Sequence, residues 1–145
     1  MQWRNVLWGS AEWTHSAAHI GFAILRAFAG FALALQHGIH KVPPSERFVQ
    51  IVGEMGFPVP GFFAWAAAFA ESVCAMLMAV GLWTRPAALL VTINMAVAAF
   101  IRHAGDPFAR RELALLYFCI AFAFMLAGGG RYSLDAWLRG RSERR

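Results

Sequence analysis

Residues 60–83 read PGFFAWAAAFAESVCAMLMAVGLW and contain one charged side chain, that of Glu71, near the middle of the run. About 20 predominantly apolar helical residues cross a bilayer core of about 30 Å. The run therefore predicts a transmembrane helix with a carboxyl group at membrane depth. We expect this helix to begin after Pro58 and Pro60 and to end near Trp83.

Three further segments have the same apolar character, and short polar connections separate the four. The predicted helices cover about residues 20–41, 59–83, 86–103 and 112–128. Short connections join antiparallel neighbours in helical bundles. The sequence thus predicts an all-α membrane protein, a four-transmembrane-helix antiparallel bundle over residues 20–138.

The two ends of the chain differ from these segments. Residues 1–19 carry Trp3, Trp8 and Trp13 among polar residues, which predicts a short interfacial amphipathic segment at the headgroup level, where Trp is enriched. A signal peptide is the disfavoured alternative, because its apolar core would lie far from the start. We predict a basic, solvated tail for residues 139–145.

Composition supports a lipid environment. Of the 145 residues, 59% are hydrophobic and 14% are charged, against about 45–50% and about 25% in soluble domains. The net charge is +5, but the basic residues are spread between and after the apolar blocks, so no nucleic-acid partner is predicted. The positive-inside rule favours cytoplasmic termini. It sets Arg4, Arg85, Arg131, Arg139, Arg141, Arg144 and Arg145 on one side against Lys41, Arg47, Arg102, Arg110 and Arg111 on the other.

Two charged residues interrupt the first two helices. Charge inside a membrane segment is costly, so Arg26 and Glu71 should face the bundle interior, a cavity or each other. At a rise of about 1.5 Å per residue, the antiparallel hairpin brings them level, with Asn94 at a comparable depth. We expect an Arg26–Glu71 pair with Asn94 as a further hydrogen-bond partner. Both an ion pair that holds the helices together and a functional site stay open.

A second polar cluster closes the other ends of the helices. His37, His40 and Lys41 end the first helix, His103 ends the third, and Glu112 begins the fourth. The topology places them, with Arg102, at one mouth. Imidazole and carboxyl groups exchange protons near neutral pH, and cations stabilise an anionic oxygen, as a quinone headgroup requires.

These considerations predict His37, Glu112, Glu71 and Arg26 as catalytic residues and Lys41, His103 and Asn94 as ligand-binding residues. Two alternatives stay open for the mouth. One is a metal site with His37, His40, His103 and Glu112 as ligands, although no sequential motif sets its geometry. The other is a set of side chains solvated by headgroups and water.

Several short motifs occur in a fixed order along the chain. They are Arg26 with Gly30, His37-Gly38-x-x-Lys41, Gly56-Phe57-Pro58-x-Pro60, Glu71, Gly81-Leu82-x-Thr84-Arg85, His103, Glu112 and Gly128-x-Gly130-x-x-Ser133-Leu134-Asp135. As a set they resemble the DoxX family of small four-helix bacterial membrane proteins, over about residues 25–135. One departure is Cys74 and Ala75, where paired glycines are usual.

The resemblance implies a multi-pass protein of the bacterial inner membrane with links to redox chemistry. Some relatives are subunits of thiosulfate:quinone oxidoreductase or are associated with quinone and catechol stress. By matching position, the resemblance also implies functional roles for six residues. These are Arg26, His37, Lys41, Glu71, His103 and Glu112.

Three functions follow as hypotheses. The first is a quinone-binding membrane subunit of a redox system that receives electrons from a redox partner protein or a soluble reductant. The second is a non-enzymatic scaffold or partner of a redox or stress-response complex. A solute pathway is disfavoured, because many bulky Phe side chains leave little lumen unless the protein forms a homo-oligomer.

Overall fold

The computed structural model describes residues 16–142, and all regular structure in that part of the chain is helical. Most of the predicted interfacial segment, residues 1–15, lies outside the described residues. The α-helices are α1 (Ser16–Leu33), α2 (Glu46–Glu54), α3 (Pro60–Phe69), α4 (Ala75–Val80), α5 (Thr84–Val97), α6 (Phe108–Ala127) and α7 (Leu134–Ser142).

Three π-helical turns extend or join these helices. Ala34–Gly38 follows α1, Ala70–Cys74 connects α3 to α4, and Ala98–Arg102 follows α5. A 3₁₀ turn, Ile39–Lys41, ends the first helical segment. Because π-helical turns are rare and often lie at functional sites, their positions are a first pointer to the site.

Three continuous helical segments of the described chain are long and apolar enough to cross a membrane. They are Ser16–Lys41, Pro60–Val80 and Thr84–Arg102. The described chain thus has the apolar helices of a membrane protein, with three candidate crossings among the four predicted. Helix α6 has 20 residues, but it carries three charged residues near its start, Arg110, Arg111 and Glu112, whereas each of the other three segments carries at most two.

Helix α2 is absent from the sequence-based prediction. The Nζ atom of Lys41 lies 5.2 Å from the centre of the Phe48 ring near the start of α2, and Gly53 near its end packs on the Pro60 ring. Helix α2 therefore runs alongside α3 in the opposite direction. Its nine residues span about 13 Å, so α1 and α2 each cover part of the length of α3 and α4.

Helix α1 packs closely on α4 through Gly30. A Cβ atom on Gly30 would lie 2.6 Å from the carbonyl oxygen of Ala75 and 2.6 Å from Cβ of Ala79. Paired glycines on the second crossing would allow such a close approach. Here Gly30, on the first crossing, allows it instead. A buried core that includes Leu33, Met78, Val91 and Phe124 continues from this contact.

Helix α7 is attached to the start of α5. The Oδ1 atom of Asp135 accepts a hydrogen bond from the backbone N–H of Trp83 at 2.8 Å, and Oδ2 accepts from the N–H of Thr84 at 2.9 Å and from its hydroxyl at 2.8 Å. Ser133 caps α7 by accepting from the N–H of Ala136. Residues 139–142 of the predicted tail are helical. We call this side of the bundle the Asp135 end and the opposite side the His103 end.

Candidate ligand-binding cavity

The buried carboxylate of Glu71 is the centre of a polar cluster. Lys41 Nζ donates to Glu71 Oε1 and Oε2 at 2.6 and 2.7 Å, and Asn94 Nδ2 donates to Oε1 at 2.8 Å. Glu71 is 4% exposed, whereas the Lys41 side chain is 32% exposed. The cluster joins the end of the first helical segment, the π-helical turn before α4, and α5. It also confirms that Asn94 lies at the depth of Glu71 and bonds to it.

Gly38 allows this cluster to form. A Cβ atom on Gly38 would collide with the backbone carbonyl of Glu71 and lie 2.6 Å from the backbone nitrogen of Ser72. Only glycine permits two helices to approach this closely. Lys41 follows three residues later on the same helical segment, so the close contact at Gly38 brings its ammonium group within reach of Glu71.

A cavity of about 500 Å³ adjoins the cluster. Lys41, Glu71 and Asn94 line its inner part, and Arg102 and His103 line it toward the His103 end. Asn94 and Arg102 are eight residues apart, so the cavity extends about 12 Å along α5. Its walls are mostly apolar and include Phe48, Val52, Met55, Ala67, Ile93 and Val97. This volume and a mainly apolar lining with a few convergent polar groups are typical of small-molecule sites.

His103 lies where the cavity approaches the loop between α5 and α6. Its Nδ1 atom is 2.7 Å from Asp106 Oδ2. The hydrogen bond with His103, and the charge of Arg110, hold the pKa of Asp106 below its ordinary value. An ionised Asp106 keeps the proton on Nδ1, so a neutral His103 ring presents Nε2 as an acceptor.

The structure brings together four of the predicted site residues, Glu71, Lys41, Asn94 and His103, around one cavity. It does not bring the other polar residues of the predicted mouth to the same cavity. His37 packs edge-on against Tyr117 with ring centres 6.2 Å apart. His40 is exposed at the end of the first helical segment, and Glu112 is exposed on α6.

The predicted Arg26–Glu71 pair is wrong. Arg26 is 3% exposed, and its Nη2 atom donates to the carbonyl oxygen of Tyr132 at 2.8 Å, at the Asp135 end. The depth estimate assumed that Lys41 lies at the membrane surface. Because the first helical segment ends at the depth of Glu71, Lys41 takes the place expected for Arg26.

The residues considered as metal ligands do not converge in the structure. Across residues 16–142, no group of three or more His, Cys, Asp or Glu side chains is arranged to hold a metal ion. His37, His40, His103 and Glu112 therefore do not form a common site in this arrangement.

Sequence reasoning missed the wall that α2 supplies. Phe48, Val52 and Met55 line the cavity from this helix, and Ser45 caps it by accepting a hydrogen bond from the N–H of Phe48. The signal was present: the three apolar residues recur at helical spacing of four and three positions after a serine cap. A helix of nine residues is too short for a search based on membrane-spanning length to find.

Comparisons with known proteins identify the family of the chain. The sequence profile of the DoxX family matches residues 21–104, which include Arg26, Lys41, Glu71, Asn94 and His103. An uncharacterized protein of Haemophilus influenzae is 38% identical over 72 residues, which are 45% of this chain and 54% of that protein. The chain thus matches about half the length of this curated relative. No solved structure matches the chain.

Proposed function

The chain belongs to the DoxX family, and on that premise we propose that its cavity binds a quinone-class ligand as part of a membrane-bound redox system. The observation that carries this proposal is the mainly apolar cavity of about 500 Å³ whose inner part ends at Lys41, Glu71 and Asn94. A quinone has a flat apolar ring with a hydrogen-bond-accepting carbonyl on each side. A cavity with apolar walls and polar groups toward both ends complements that distribution.

The inner polar cluster would bind one carbonyl oxygen. Lys41 Nζ and Asn94 Nδ2 are donors that now bond to Glu71 at 2.6–2.8 Å. A ligand carbonyl would share these donors, and the Lys41 ammonium would stabilise negative charge that develops on the oxygen. Glu71 would hold the Lys41 side chain in this orientation. Phe48 and Phe63 line the walls beside the ring.

Reduction of a quinone to a quinol consumes two electrons and two protons. In this proposal a redox partner protein, or a soluble reductant, supplies both electrons. His103, whose Nδ1 is hydrogen-bonded to Asp106 at 2.7 Å, takes one proton from water at the loop onto Nε2 and passes it from Nε2 to the outer carbonyl oxygen. Lys41 protonates the inner oxygen, and water that reaches its partly exposed side chain returns a proton to the amine. His37, Glu112 and Arg26, which the sequence predicted as catalytic, lie outside the cavity and have no contact with the ligand in this proposal.

We further propose that α6 is the fourth crossing of an antiparallel bundle. Its 20 residues span about 30 Å, and its three charged residues all lie within the first five positions. It packs along the third crossing, where Arg111 Nε donates to the Ala99 carbonyl at 3.2 Å and Phe118 meets Phe100. Four crossings and the positive-inside rule favour cytoplasmic termini in a bacterial inner membrane.

The alternative is a non-enzymatic scaffold for a redox or stress-response complex, alone or as a homo-oligomer. One observation favours it: Lys41 and Asn94 both bond to Glu71, so the cluster joins three helical segments. Under this alternative the cluster is architectural and the cavity binds no ligand.

Binding of short-chain ubiquinone and menaquinone analogues to detergent-purified protein, measured by titration calorimetry, tests the proposal. Ala67→Phe fills the cavity from its α3 wall, and Ala123→Phe, on an exposed face of α6, is the matched control. We expect saturable binding that Ala67→Phe weakens at least tenfold and Ala123→Phe leaves unchanged. Absence of saturable binding by the folded wild-type protein would overturn the proposal and favour the scaffold.

Asn94→Leu refines the test because it keeps the side-chain volume and removes one donor. Loss of one hydrogen bond to the ligand is expected to weaken binding about tenfold. Equal weakening of every analogue, including one without a carbonyl group, would show that the cavity selects for size alone and would contradict quinone recognition.

A further inference from the structure

Helix α7 presents an apolar stripe to its surroundings. Leu134, Trp137 and Leu138 are 41%, 57% and 46% exposed, and their spacing of three and four residues places them on one helix face. Arg141 continues the same face one turn later. Its guanidinium lies 5.2 Å from the centre of the Trp137 ring. Within the described chain, the helix is attached through Asp135, on another face, so this stripe stays uncovered.

The stripe lies at the end of the membrane-crossing segments. Asp135 bonds to the N–H groups of Trp83 and Thr84, between the second and third crossings. Trp83 and Tyr132, at the same end, are 71% and 49% exposed. Exposed Trp and Tyr side chains gather at the boundary between hydrocarbon and water. Helix α7 is therefore held at the height of the lipid headgroups.

Positive charge surrounds the stripe. Arg131, Arg139 and Arg141 are exposed, whereas the carboxylate of Asp135 is directed to α5. An open depression lined by Arg131, Tyr132 and Trp137 lies beside the stripe and reaches Val80, the last residue of the second crossing. The sequence adds Arg144 and Arg145 just beyond the described helix. A basic rim beside an apolar face is the pattern of a helix that lies in an anionic membrane surface.

We infer that α7 binds the membrane surface, with its Leu134–Trp137–Leu138 stripe in the acyl boundary and its arginines on anionic phospholipid headgroups. This inference is independent of the proposed quinone site, because the ten residues of α5 from Thr84 to Asn94, about 15 Å, separate the attachment of α7 from the inner polar cluster. As a consequence, α7 fixes the start of α5 at one leaflet, because Asp135 joins the two helices.

A fluorescent probe on α7 tests this inference in the full chain. Leu138→Cys is labelled with an environment-sensitive nitrobenzoxadiazole group in a Cys119→Ser background, where Cys74 stays buried. The protein is placed in nanodiscs of pure phosphatidylcholine or of phosphatidylcholine with one third phosphatidylglycerol. We expect blue-shifted, brighter emission in the anionic nanodiscs and reversal of this change by high salt.

Charge-removing variants sharpen the result. Arg139→Gln with Arg141→Gln is expected to lower the ratio of membrane-docked to undocked α7 by about twenty-five-fold, since each arginine near an anionic surface contributes about a factor of five. The matched control, Arg47→Gln with Arg110→Gln, removes two exposed arginines outside α7 and should leave the docking ratio unchanged. Elution volume in gel filtration checks that both variants are folded.

Other outcomes would overturn the inference. If the probe were exposed to water in both kinds of nanodisc, α7 would not lie on the membrane. If the probe were equally buried in both, anionic lipid would have no part in binding α7. If soluble glycerophosphate in detergent produced the same change in probe emission, the arginines would bind a free phosphate compound and not a lipid headgroup. Probe burial that rises with protein concentration would assign the stripe to a second copy of the chain.

Discussion

The first helical segment carries two cations, Arg26 and Lys41, that differ in how their charge is accommodated. Arg26 bonds to the Tyr132 carbonyl, but its Nε and Nη1 atoms have no hydrogen-bond partner, and Asp135 is the carboxylate that compensates its charge. Lys41 bonds to both oxygens of Glu71 and borders a cavity of about 500 Å³.

Under the proposed function, this difference assigns Arg26 a packing role and Lys41 a binding role. Arg26 is enclosed: a Cβ atom on Gly81 would collide with its guanidinium, so no space for a ligand adjoins it there. Lys41 is fully paired yet lies beside open space, where it can exchange a protein acceptor for a ligand oxygen. A buried charge beside a cavity is therefore a better guide to function than a buried charge alone.

The largest effect is expected for Lys41→Met. It leaves the 4% exposed Glu71 carboxylate with Asn94 as its remaining side-chain partner, and breaking a buried pair on one side costs about 3–5 kcal/mol of unfolding free energy. Because Lys41 is partly exposed, a value near the lower limit is expected. Lys41→Met with Glu71→Leu should recover most of the loss, as thermal unfolding in detergent can measure. A double variant as unstable as the single one would contradict this account of the pair.

An intermediate effect is expected for Asp135→Asn. Burial opposes ionisation of Asp135, but hydrogen bonds from Thr84 and Trp83 and the charge of Arg139 hold its pKa below its ordinary value of 3.8. A carboxyl group with a lowered pKa stabilises the fold above its ordinary pKa, and this stabilisation is lost as the pH falls through the lower folded value. Asp135→Asn should cost about 1–2 kcal/mol at pH 7.

The pH dependence separates the role of this charge from that of the side-chain shape. Thermal unfolding between pH 7 and pH 3 should show the wild-type protein approaching the stability of Asp135→Asn at the acid end. A constant difference between the two proteins across this range would mean that the charge of Asp135 has no part in stabilising the start of α5.

The smallest effect is expected for Arg26→Met. The substitution removes one hydrogen bond to Tyr132 and the attraction to Asp135, but it also removes a buried charge with two unpaired nitrogen atoms. These changes offset one another, so unfolding free energy should change by about 1 kcal/mol or less. Quinone-analogue affinity should stay at the wild-type value. A large loss of affinity in a folded Arg26→Met protein would erase the distinction between the two cations.

Much of the fold could be predicted from local sequence. The segments around Leu33, Glu71 and Asn94 are apolar over a membrane-spanning length, and that length depends only on helical rise and bilayer thickness. The same reasoning predicts α6 as a fourth crossing, which stays a prediction because three charged residues, Arg110, Arg111 and Glu112, lie near the start of this helix. It also missed α2, whose nine residues are too few to cross a bilayer.

The polar residues of the candidate site were recognisable because charge at membrane depth is costly, but their partners were not. Helical rise places residues along an axis only while the helix crosses the whole bilayer. Here the first helical segment ends at the depth of Glu71, which moves Lys41 inward and Arg26 to the Asp135 end. His37 and Glu112 were assigned to the same mouth by topology alone, which does not specify the direction of a side chain.

The sequence by itself determined a membrane-embedded helical protein with buried polar groups, since hydrophobicity and helix length act residue by residue. Only the tertiary structure decided which cation meets Glu71 and where open space remains beside it. The physical reason is contact: Gly38 lets two backbones approach until Lys41 reaches the carboxylate, and α2 supplies the missing wall of the cavity. Those contacts join residues of separate helices, and no local pattern encodes them.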